Sequence, residues 1–259
     1  MEPISAVIIT KNEERNIRRC IHSLKSVADE IIVVDDHSTD NTPAICREEG
    51  VKLIQQSWLG FGQQKNVGND AAAHNYILSM DADEALDPVL TEAIRQAKAT
   101  GLKGVYQVSR LSSYYGRFIR HGDENPDRKI RLFNRHTVRW GQQRVHETLD
   151  MPAGTPVTLL KGWLLHYPYY RFSEHHRKLD SYTSLTALDY FERGKKAPVY
   201  KILFSPWWTF MQSYFFKLGL LDGMHGFVLA VMRAHASFSR YVKLWDLHNA
   251  AKKTTNDPT

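Results

Sequence analysis

The stretch AVIITKNEERNIRRCIHSLKSVADEIIVVDD, residues 6–36, decides the fold. It opens with an apolar run at 6–9, followed by a polar turn that can cap a helix. In that helix, apolar residues recur every three or four positions and form one stripe that can lie on a sheet. The continuous β-branched run at 31–34 then indicates a strand buried on both faces, as in a parallel sheet. The stretch therefore predicts a strand–helix–strand unit of an open α/β sheet.

The same alternation continues along the chain. Further strands are predicted at 51–54, 76–80 and 104–109, and helices at 42–49, 65–73 and 87–99. Strands that alternate with helices indicate an α/β fold, and ligands of such sheets bind outside the carboxyl ends of the strands. Three polar clusters follow predicted strands: Thr10-Lys11, Asp35-Asp36 and Asp81-Ala82-Asp83. We expect these clusters to converge on one site.

The remainder of the chain has a different pattern. Residues 114–140 are basic and aromatic, and we expect loops and short antiparallel strands there. A helix is predicted from Arg171, with Leu179, Tyr182, Leu185 and Leu188 along one face. These changes divide the chain into residues 1–110, 111–170 and 171–259.

Composition limits the classes of protein that fit. The chain has 259 residues, of which 42% are hydrophobic and 24% charged, typical of a folded protein and not of a multi-span membrane protein. The net charge of +6 suits an anionic lipid or phosphorylated partner. The sequence lacks a basic tail, zinc-finger spacing and an RNP-like motif, so we expect no nucleic acid partner.

The two cysteines and the N-terminal sequence bear on the compartment. Cys20 and Cys46 form no dense disulfide framework, which fits a reducing compartment. The start of the sequence lacks the basic and apolar regions of a secretory signal. We therefore expect the protein to act on the cytoplasmic side.

The C-terminal region is aromatic and basic. Its uncharged run, Ile202 to Phe216, is shorter than the roughly 18–20 residues needed to span a bilayer. Basic residues beyond it intermix with Phe238, Tyr241 and Trp245, a composition that suits a helix lying in a membrane interface. A helical layer packed on the sheet domain is the alternative. Trp207-Trp208 can stack on a sugar, but so apolar a stretch favours packing or a lipid interface.

Asp81-Ala82-Asp83 is the strongest chemical motif. Two carboxylates at one strand end repel unless a cation lies between them, and the small Ala82 permits close approach of a ligand. Mg²⁺ and Mn²⁺ take one or two carboxylates, with phosphate and water completing the shell. The motif therefore predicts a metal–diphosphate site. An acidic loop that caps the helix after Pro88 is the alternative.

Two further segments support the functional interpretation. In Asp35-Asp36-His37-Ser38, one carboxylate can accept hydrogen bonds from a nucleobase while the other organises the turn. Lys65 follows a Gly-rich loop at a predicted helix start, a position suited to contact with a phosphate. A plain surface turn would explain either segment alone.

Four motifs together carry a resemblance. VIITKNEE (7–14), IIVVDDHSTDNT (31–42), FGQQKNVGNDAA (61–72) and ILSMDADE (77–84) resemble the successive motifs of family 2 glycosyltransferases. DRKIRLFNRHTVRWGQQRVHETL (127–149) and GLLDGMHGFVLAVMRAHASFSRYVKLW (219–245) resemble the subgroup that contains lipopolysaccharide core β-1,4-glucosyltransferases. The resemblance implies the GT-A fold, a nucleotide-sugar-binding α/β sheet flanked by helices, with a C-terminal helical region that can associate with a membrane. It also implies inversion at the anomeric carbon.

The resemblance also assigns residue roles. It places four residues around the base and ribose of the donor, namely Thr10, Lys11, Glu13 and Asp36, with Lys65 near the nucleotide. Asp81 would face the donor's ribose or sugar beside Ala82, and Asp83 would bind Mg²⁺ or Mn²⁺. Many relatives have an aromatic residue at the position of Lys11, so the resemblance does not assign base stacking to this position. Residues 1–110 would thus bind the donor, 111–170 the acceptor and the catalytic base, and 171–259 would form the helical region.

Transfer to an acceptor hydroxyl needs a general base. Glu147 matches the family's His-Glu position and is the predicted base; the alternative is a surface carboxylate paired with Arg144. Asp123 and Glu124 are the reserve candidates. Arg128, Lys129 and Arg131 can neutralise phosphates or form a solvated basic face. His166, His175 and His176 suit caps or interfaces better than zinc ligation.

The sequence thus predicts an inverting, metal-dependent glycosyltransferase. It would move glucose from UDP-glucose to a heptose of the lipopolysaccharide inner core, at the inner face of the cell membrane and against an anionic membrane surface. A transferase acting on polyprenyl-phosphate or another glycolipid or polysaccharide acceptor is one alternative. A non-catalytic protein that binds nucleotide sugars is the other.

Overall fold

The computed structural model describes residues 2–141 and 148–256, with side chains through residue 252. The chain divides into two compact units. The first comprises residues 1–111 and 127–167, and the second comprises residues 112–126 and 168–259. The predicted middle segment 111–170 is therefore shared between the units. Its strand at 127–134 pairs within the sheet of the first unit, whereas 112–126 contacts turns of the second.

The strands of the described residues are β1 (Ile4–Thr10), β2 (Glu30–Asp35), β3 (Lys52–Gln55), β4 (Tyr76–Asp81), β5 (Glu84–Leu86), β6 (Val105–Tyr114), β7 (Arg117–Phe118), β8 (Asp127–Asn134), β9 (Arg139–Trp140), β10 (Leu149–Asp150) and β11 (Val157–Tyr169). Nine of these form one sheet in the order β3-β2-β1-β4-β8-β6-β11-β5, with β7 paired to β6. Strands β9 and β10 form a separate pair. Strands β1 to β4 are parallel, whereas β8 runs antiparallel to β4 and β6.

The helices of the first unit are α1 (Ile17–Leu24), α2 (Thr42–Glu48), α3 (Phe61–Asp70) and α4 (Pro88–Thr100). The apolar stripe predicted for α1 is confirmed, since Ile17, Cys20, Ile21 and Leu24 are all fully buried. Burial of one such isoleucine or leucine contributes about 1.5–3 kcal/mol. Hydrophobic packing on the central strands therefore holds this helix, which has no side-chain cap.

Helix α3 lies close to the sheet at Gly68. A Cβ at this position would lie 2.3 Å from Cγ1 of Val7 on β1. A residue with a side chain would push the helix off the strands, so glycine is required by close approach. This contact places the C-terminal half of α3 on the middle of β1, where Cγ2 of Val34 on β2 would also lie 3.0 Å from the added Cβ.

The second unit contains α5 (Phe172–Glu192), α6 (Val199–Met211) and α7 (Gly223–Asn256). A π-helical turn (Gln212–Phe216) and a 3-10 turn (Gly219–Asp222) connect α6 to α7. The 3-10 turn lies directly on α7, because a Cβ at Gly226 would lie 1.9 Å from the carbonyl oxygen of Gly219. The buried carboxylate of Asp222 accepts hydrogen bonds from the backbone N–H groups of Arg120 and His121. The turn is thereby fastened to segment 112–126.

Helix α6 exposes its apolar side chains. No residue of this helix is buried, and Trp207 is 60% exposed. No single described helix is long and apolar enough to cross a membrane. Val199–Phe216 and Gly219–Lys252 reach the required length and composition only as a pair, bent by 72°.

Two predictions of local structure are wrong. Helix α3 begins at Phe61, so Lys65 lies within it and not at its start; Gly60, with φ 94°, precedes the first turn. On α5, Leu185 and Leu188 are exposed, and the buried face is formed by Leu179, Thr183 and Ala187. Small side chains permit close packing of α5 on α7, which hydrophobicity alone does not indicate.

Candidate functional site

Three strand ends meet at one edge of the sheet, as predicted. The register pairs Thr10 of β1 with Asp35 of β2, and Ile9 of β1 with Asp81 of β4. Because all three strands are parallel, their terminal polar residues emerge side by side. The sequence correctly predicted this convergence.

The two adjacent aspartates after β2 have different roles. Asp35 is fully buried and accepts hydrogen bonds from the backbone N–H and the hydroxyl of Ser38. Asp36 faces outward, with its Oδ2 3.0 Å from Nζ of Lys11 and its Oδ1 accepting from the backbone N–H of Trp58 at 3.1 Å. Asp35 therefore organises the turn, and Asp36 is the carboxylate that can meet a ligand.

Trp58 is an aromatic residue that the sequence analysis missed. Its side chain is 46% exposed beside Asp36 and meets the ring of Phe61 edge-on, with centroids 4.7 Å apart. An exposed indole next to a carboxylate can stack on a nucleobase, while the carboxylate accepts hydrogen bonds from the N–H groups of that base. The available signal was a single tryptophan, Trp58, directly ahead of the Gly-rich loop.

Thr10 is the last residue of β1, and Glu13 lies on the loop that follows. The buried Oγ1 of Thr10 has no hydrogen-bond partner among the described residues. A buried hydroxyl is normally paired, so this orphan marks a place where a ligand group can bind. Glu13 differs, because its Oε2 accepts a hydrogen bond from the side chain of Asn16 at 2.7 Å. Glu13 therefore helps to fix the entry to α1.

Lys65 is buried in the middle of α3. Its side chain is 1% exposed, and its Nζ lies 3.1 Å from Oδ1 of Asp81 and 4.6 Å from the centroid of the Trp140 ring. A buried ammonium needs a compensating charge, and Asp81 supplies it. Lys65 therefore contacts Asp81, and its nearness to the donor nucleotide stays a prediction.

Asp81 belongs to a buried ion network. Arg131 contacts its Oδ2 at 2.8 Å and Oε1 of Glu84 at 2.6 Å, and neither Arg131 nor Glu84 has appreciable exposure. Burial would raise the pKa of the Asp81 carboxyl, but the charges of Lys65 and Arg131 outweigh it and lower that pKa. Asp81 therefore stays ionised, with its charge already balanced by protein cations.

The network continues from Glu84 toward the surface. Arg110 lies 3.5 Å from Glu84 and forms a 2.7 Å ion pair with Asp127, which also pairs with Lys129 at 3.0 Å. Arg131 and Lys129 had been considered as phosphate-neutralising residues. Arg131 is instead buried among carboxylates, because β8 lies next to β4 in the sheet.

Asp83 contacts β11. Its Oδ2 is 3.3 Å from Nε2 of His166, and its carbonyl oxygen accepts from the backbone N–H of Tyr167 at 2.9 Å. The pairing of β11 with β5 aligns His166 with Glu84, which brings the imidazole beside the acidic motif. Both side chains are about 15% exposed and thus open to a ligand.

The acidic motif does not cap the following helix. Asp87 performs that role, since its side chain accepts the N–H of Leu90 at 2.7 Å. The alternative interpretation of Asp81-Ala82-Asp83 as a capping loop is therefore wrong.

Asp83 and His166 offer an oxygen and a nitrogen donor that could together hold a divalent cation. Such cations are often held by one or two protein groups, with substrate phosphates and water in the remaining positions. Within residues 2–141 and 148–252, no group of three or more His, Cys, Asp or Glu side chains could hold a metal. A cation at this site would thus depend on the ligand's phosphates. The sequence analysis had set His166 aside.

The predicted base, Glu147, lies outside the described residues. Of the reserve candidates, Asp123 forms ion pairs with Lys217 and Arg233, and Glu124 pairs with Arg233. Burial raises the pKa of Asp123, but these partners outweigh it and lower that pKa. A carboxylate with a lowered pKa is a weak base, so the structure does not favour Asp123 in this role.

Comparisons with known proteins agree with this architecture. The family model described as Glycosyl transferase family 2 matches residues 5–161. The chain is 32% identical to an uncharacterized glycosyltransferase of Rickettsia typhi, over 95% of this chain and 88% of that protein. It is also 32% identical to the lipopolysaccharide core biosynthesis glycosyltransferase LpsC of Rhizobium meliloti, over 95% and 93% of the two chains.

Solved structures give a more distant likeness. Residues 1–349 of S. aureus TarS, solved in complex with UDP, are 14% identical with a TM-score of 0.48, over 96% of this chain and 92% of that chain. The family match and the sheet described above confirm the predicted fold class, a GT-A-like α/β sheet flanked by helices with a helical C-terminal region. The chain is a glycosyltransferase and belongs to glycosyl transferase family 2.

Proposed function

We propose that this glycosyltransferase moves glucose from UDP-glucose to a heptose of the lipopolysaccharide inner core, with inversion at the anomeric carbon. The main observation in support of the donor site is that three groups lie together at the carboxyl ends of the parallel strands. These groups are Asp36, the Thr10 hydroxyl without a hydrogen-bond partner among the described residues, and the Asp81–Asp83 motif. The name of LpsC supports the acceptor.

The donor would lie along this edge. Asp36 and Trp58 would hold the base, and the Thr10 hydroxyl would gain a partner from the nucleotide. Asp81 would face the ribose or sugar, held in place by Lys65 and Arg131. Because these two cations already balance Asp81, it would accept hydrogen bonds from hydroxyl groups and not bind the metal.

Asp83 and His166 would hold Mg²⁺ or Mn²⁺ against the donor diphosphate. The bound cation would stabilise the negative charge of the departing diphosphate. Its two protein ligands lie 3.3 Å apart and leave most coordination positions for phosphate oxygens and water. The ligand set thus suits a cation that arrives with the donor.

Transfer would be a single displacement. Glu147 would take the proton of the acceptor hydroxyl as its oxygen bonds to the anomeric carbon, and the bond from that carbon to the diphosphate would break. UDP leaves, and an α-linked donor yields a β-glycoside. A general base contributes roughly 10²–10⁴-fold to such a reaction.

A donor and acceptor screen tests this function. The purified protein would be incubated with UDP-glucose and Mg²⁺ or Mn²⁺, with core lipid or polyprenyl phosphate as acceptor, and the product linkage determined by NMR. We expect β-linked glucose on heptose of the core lipid. Transfer only to the polyprenyl phosphate would overturn the acceptor assignment.

Two variants test the site. Asp83→Asn should abolish metal-dependent transfer while UDP binding without metal persists. Glu147→Gln should lower kcat by at least about 10²-fold with little change in donor affinity. A Glu147→Gln enzyme with near-normal kcat would contradict the base assignment, and Asp70→Asn serves as a carboxylate control because Asp70 pairs with Arg139 at the surface.

We also propose that the protein acts at an anionic membrane surface on the cytoplasmic side. Helix α6 and the following turns expose large apolar side chains, among them Trp207, Trp208 and Phe216. Contiguous apolar patches of this kind are typical of membrane or protein contact sites. Lys201, near the start of the segment, would attract anionic lipid, whereas Lys217 at its end pairs with Asp123.

Flotation with anionic liposomes tests the membrane proposal. The full-length protein should float, and Trp207→Ser with Phe216→Ser should remain in the soluble fraction. Val89→Ser, which removes an equally exposed apolar side chain from α4, should float like the unchanged protein. An unchanged protein that does not float would refute membrane contact.

A further inference from the structure

The second unit contains a cavity of about 210 Å³. Tyr114, Tyr169 and Tyr182 form part of its wall, and Glu124, His175 and Arg233 supply polar groups. This volume can hold several water molecules or one small polar ligand. None of these residues has a role in the donor site proposed above.

The charges of the cavity wall are balanced. Of the residues that line it, Glu124 and Arg233 have opposite charges and pair with each other. Lys178 lies outside the wall, with its Nζ 5.4 Å from the centroid of the Tyr169 ring. The imidazole of His175 adds no charge near neutral pH, because burial lowers the pKa of this histidine to about 4. A phosphate would find no net positive charge here, so a neutral ligand fits better.

Aromatic rings supply the apolar part of the wall. The rings of Tyr169 and His175 stack with centroids 4.3 Å apart, and the hydroxyl of Tyr115 lies 2.6 Å from Nδ1 of His175. Tyr182 remains 51% exposed. Binding pockets combine such apolar faces with a few fixed polar groups, and a sugar ring presents both C–H faces and hydroxyl groups.

We propose that this cavity binds one uncharged hexose or heptose ring of the acceptor glycan and thereby selects the acceptor. The assignment of the sugar to an acceptor rests on the proposed function. Tyr182 would pack against the face of the ring. Glu124 and Arg233 would exchange hydrogen bonds with its hydroxyl groups, a role that their mutual ion pair positions them to fill.

Saturation-transfer NMR on the full-length protein without donor tests the site. The probes are D-glucose, L-glycero-D-manno-heptose and glucose 6-phosphate. We expect saturable binding of at least one neutral sugar in the millimolar range, with no gain from the phosphate group. Tyr182→Ala should weaken binding at least fivefold, and Glu124→Gln should do the same. Tyr170→Ala, which removes a surface tyrosine outside the cavity wall, should leave binding unchanged.

Several results would overturn the assignment. These are the absence of saturable binding at roughly 50 mM sugar, tighter binding of the phosphorylated sugar, or unchanged affinity in Tyr182→Ala. Because Glu124→Gln can perturb folding through Arg233, the exposed Tyr182 provides the decisive variant. Circular dichroism of each variant verifies its fold.

Kinetics separate this inference from the proposed function. In the transfer assay, Tyr182→Ala should raise the acceptor KM about fivefold or more, with kcat and donor KM unchanged. An unchanged acceptor KM would refute the cavity's role even if the enzyme makes the predicted product. If transfer fails with every acceptor while Tyr182→Ala still weakens sugar binding, the cavity binds sugar and the proposed function is wrong.

Discussion

Removal of Arg131 should destabilise the first unit strongly. Arg131 is 3% exposed and bridges Asp81 at 2.8 Å and Glu84 at 2.6 Å, and Glu84 is fully buried. In Arg131→Met, Asp81 retains Lys65, whereas Glu84 retains the backbone N–H of Asp81 at 3.1 Å and, as its nearest cation, Arg110 at 3.5 Å. Leaving a buried charge without its principal partner costs about 3–5 kcal/mol.

Hydrogen exchange followed by mass spectrometry measures this loss within the first unit. Peptides that cover β4 and β8 should exchange about 10²–10⁴-fold faster in Arg131→Met, since each 1.36 kcal/mol corresponds to a factor of ten. Lys129→Met removes a partly exposed cation from the same strand, and its pair with Asp127 is worth about 0–1 kcal/mol. This control should exchange less than about tenfold faster.

A double variant tests the electrostatic cause. Adding Glu84→Leu to Arg131→Met removes the unpaired carboxylate, and such apolar replacement of a buried pair is often neutral. The double variant should therefore recover at least half of the loss. Equal exchange in Arg131→Met and Lys129→Met, or no recovery in the double variant, would refute the reasoning.

Three further predictions concern pH, packing and the metal. Burial lowers the pKa of His175 from 6.5 to about 4, so below pH 6.5 the unfolded chain binds a proton that the folded chain does not. The free energy of unfolding should therefore fall between pH 6.5 and pH 4, and it should fall further in the unchanged protein than in His175→Gln. The difference between the two proteins, measured by urea unfolding, should be at most about 3 kcal/mol, because solvent screens the partly exposed imidazole. Gly68→Ala should destabilise the first unit by about 1–3 kcal/mol, because the new Cβ would lie 2.3 Å from Cγ1 of Val7. Hydrogen exchange of β1 measures this loss, and unchanged exchange would contradict the close contact. His166→Asp should shift the metal preference in transfer assays from Mn²⁺ toward Mg²⁺, since carboxylates suit Mg²⁺ better than imidazole, and an unchanged preference would exclude His166 as a ligand.

Much of the first unit could be predicted because its signals are local. The continuous apolar run before Asp35 requires a strand buried on both faces, and the stripe on α1 requires a helix on that sheet. Once strands and helices alternate, parallel pairing follows, and the convergence of Thr10, Asp35 and Asp81 follows from parallel pairing. Each strand and helix of this unit is thus indicated by a pattern of residues that are close together in the sequence.

The contacts of the site were not predictable in the same way. Arg131 reaches Asp81 from 50 residues away, and His166 reaches Asp83 across the pairing of β11 with β5. Antiparallel strands inserted after a parallel core carry no local signal for the strand that they will join. The sequence therefore identified Asp81 and Asp83 without showing which cations neutralise the first and which imidazole lies beside the second.

The division of labour within Asp81-Ala82-Asp83 follows from these long-range contacts. The two carboxylates are two positions apart; Asp81 lies between Lys65 and Arg131, and Asp83 lies beside His166. A carboxylate balanced by two buried cations gains little from a further cation, whereas Asp83, beside an imidazole, can share a metal with it. If so, Asp81→Asn should weaken UDP-glucose binding without changing the metal concentration needed for half-maximal transfer, and Asp83→Glu should raise that concentration with less effect on UDP-glucose binding. The opposite pattern would assign the metal to Asp81.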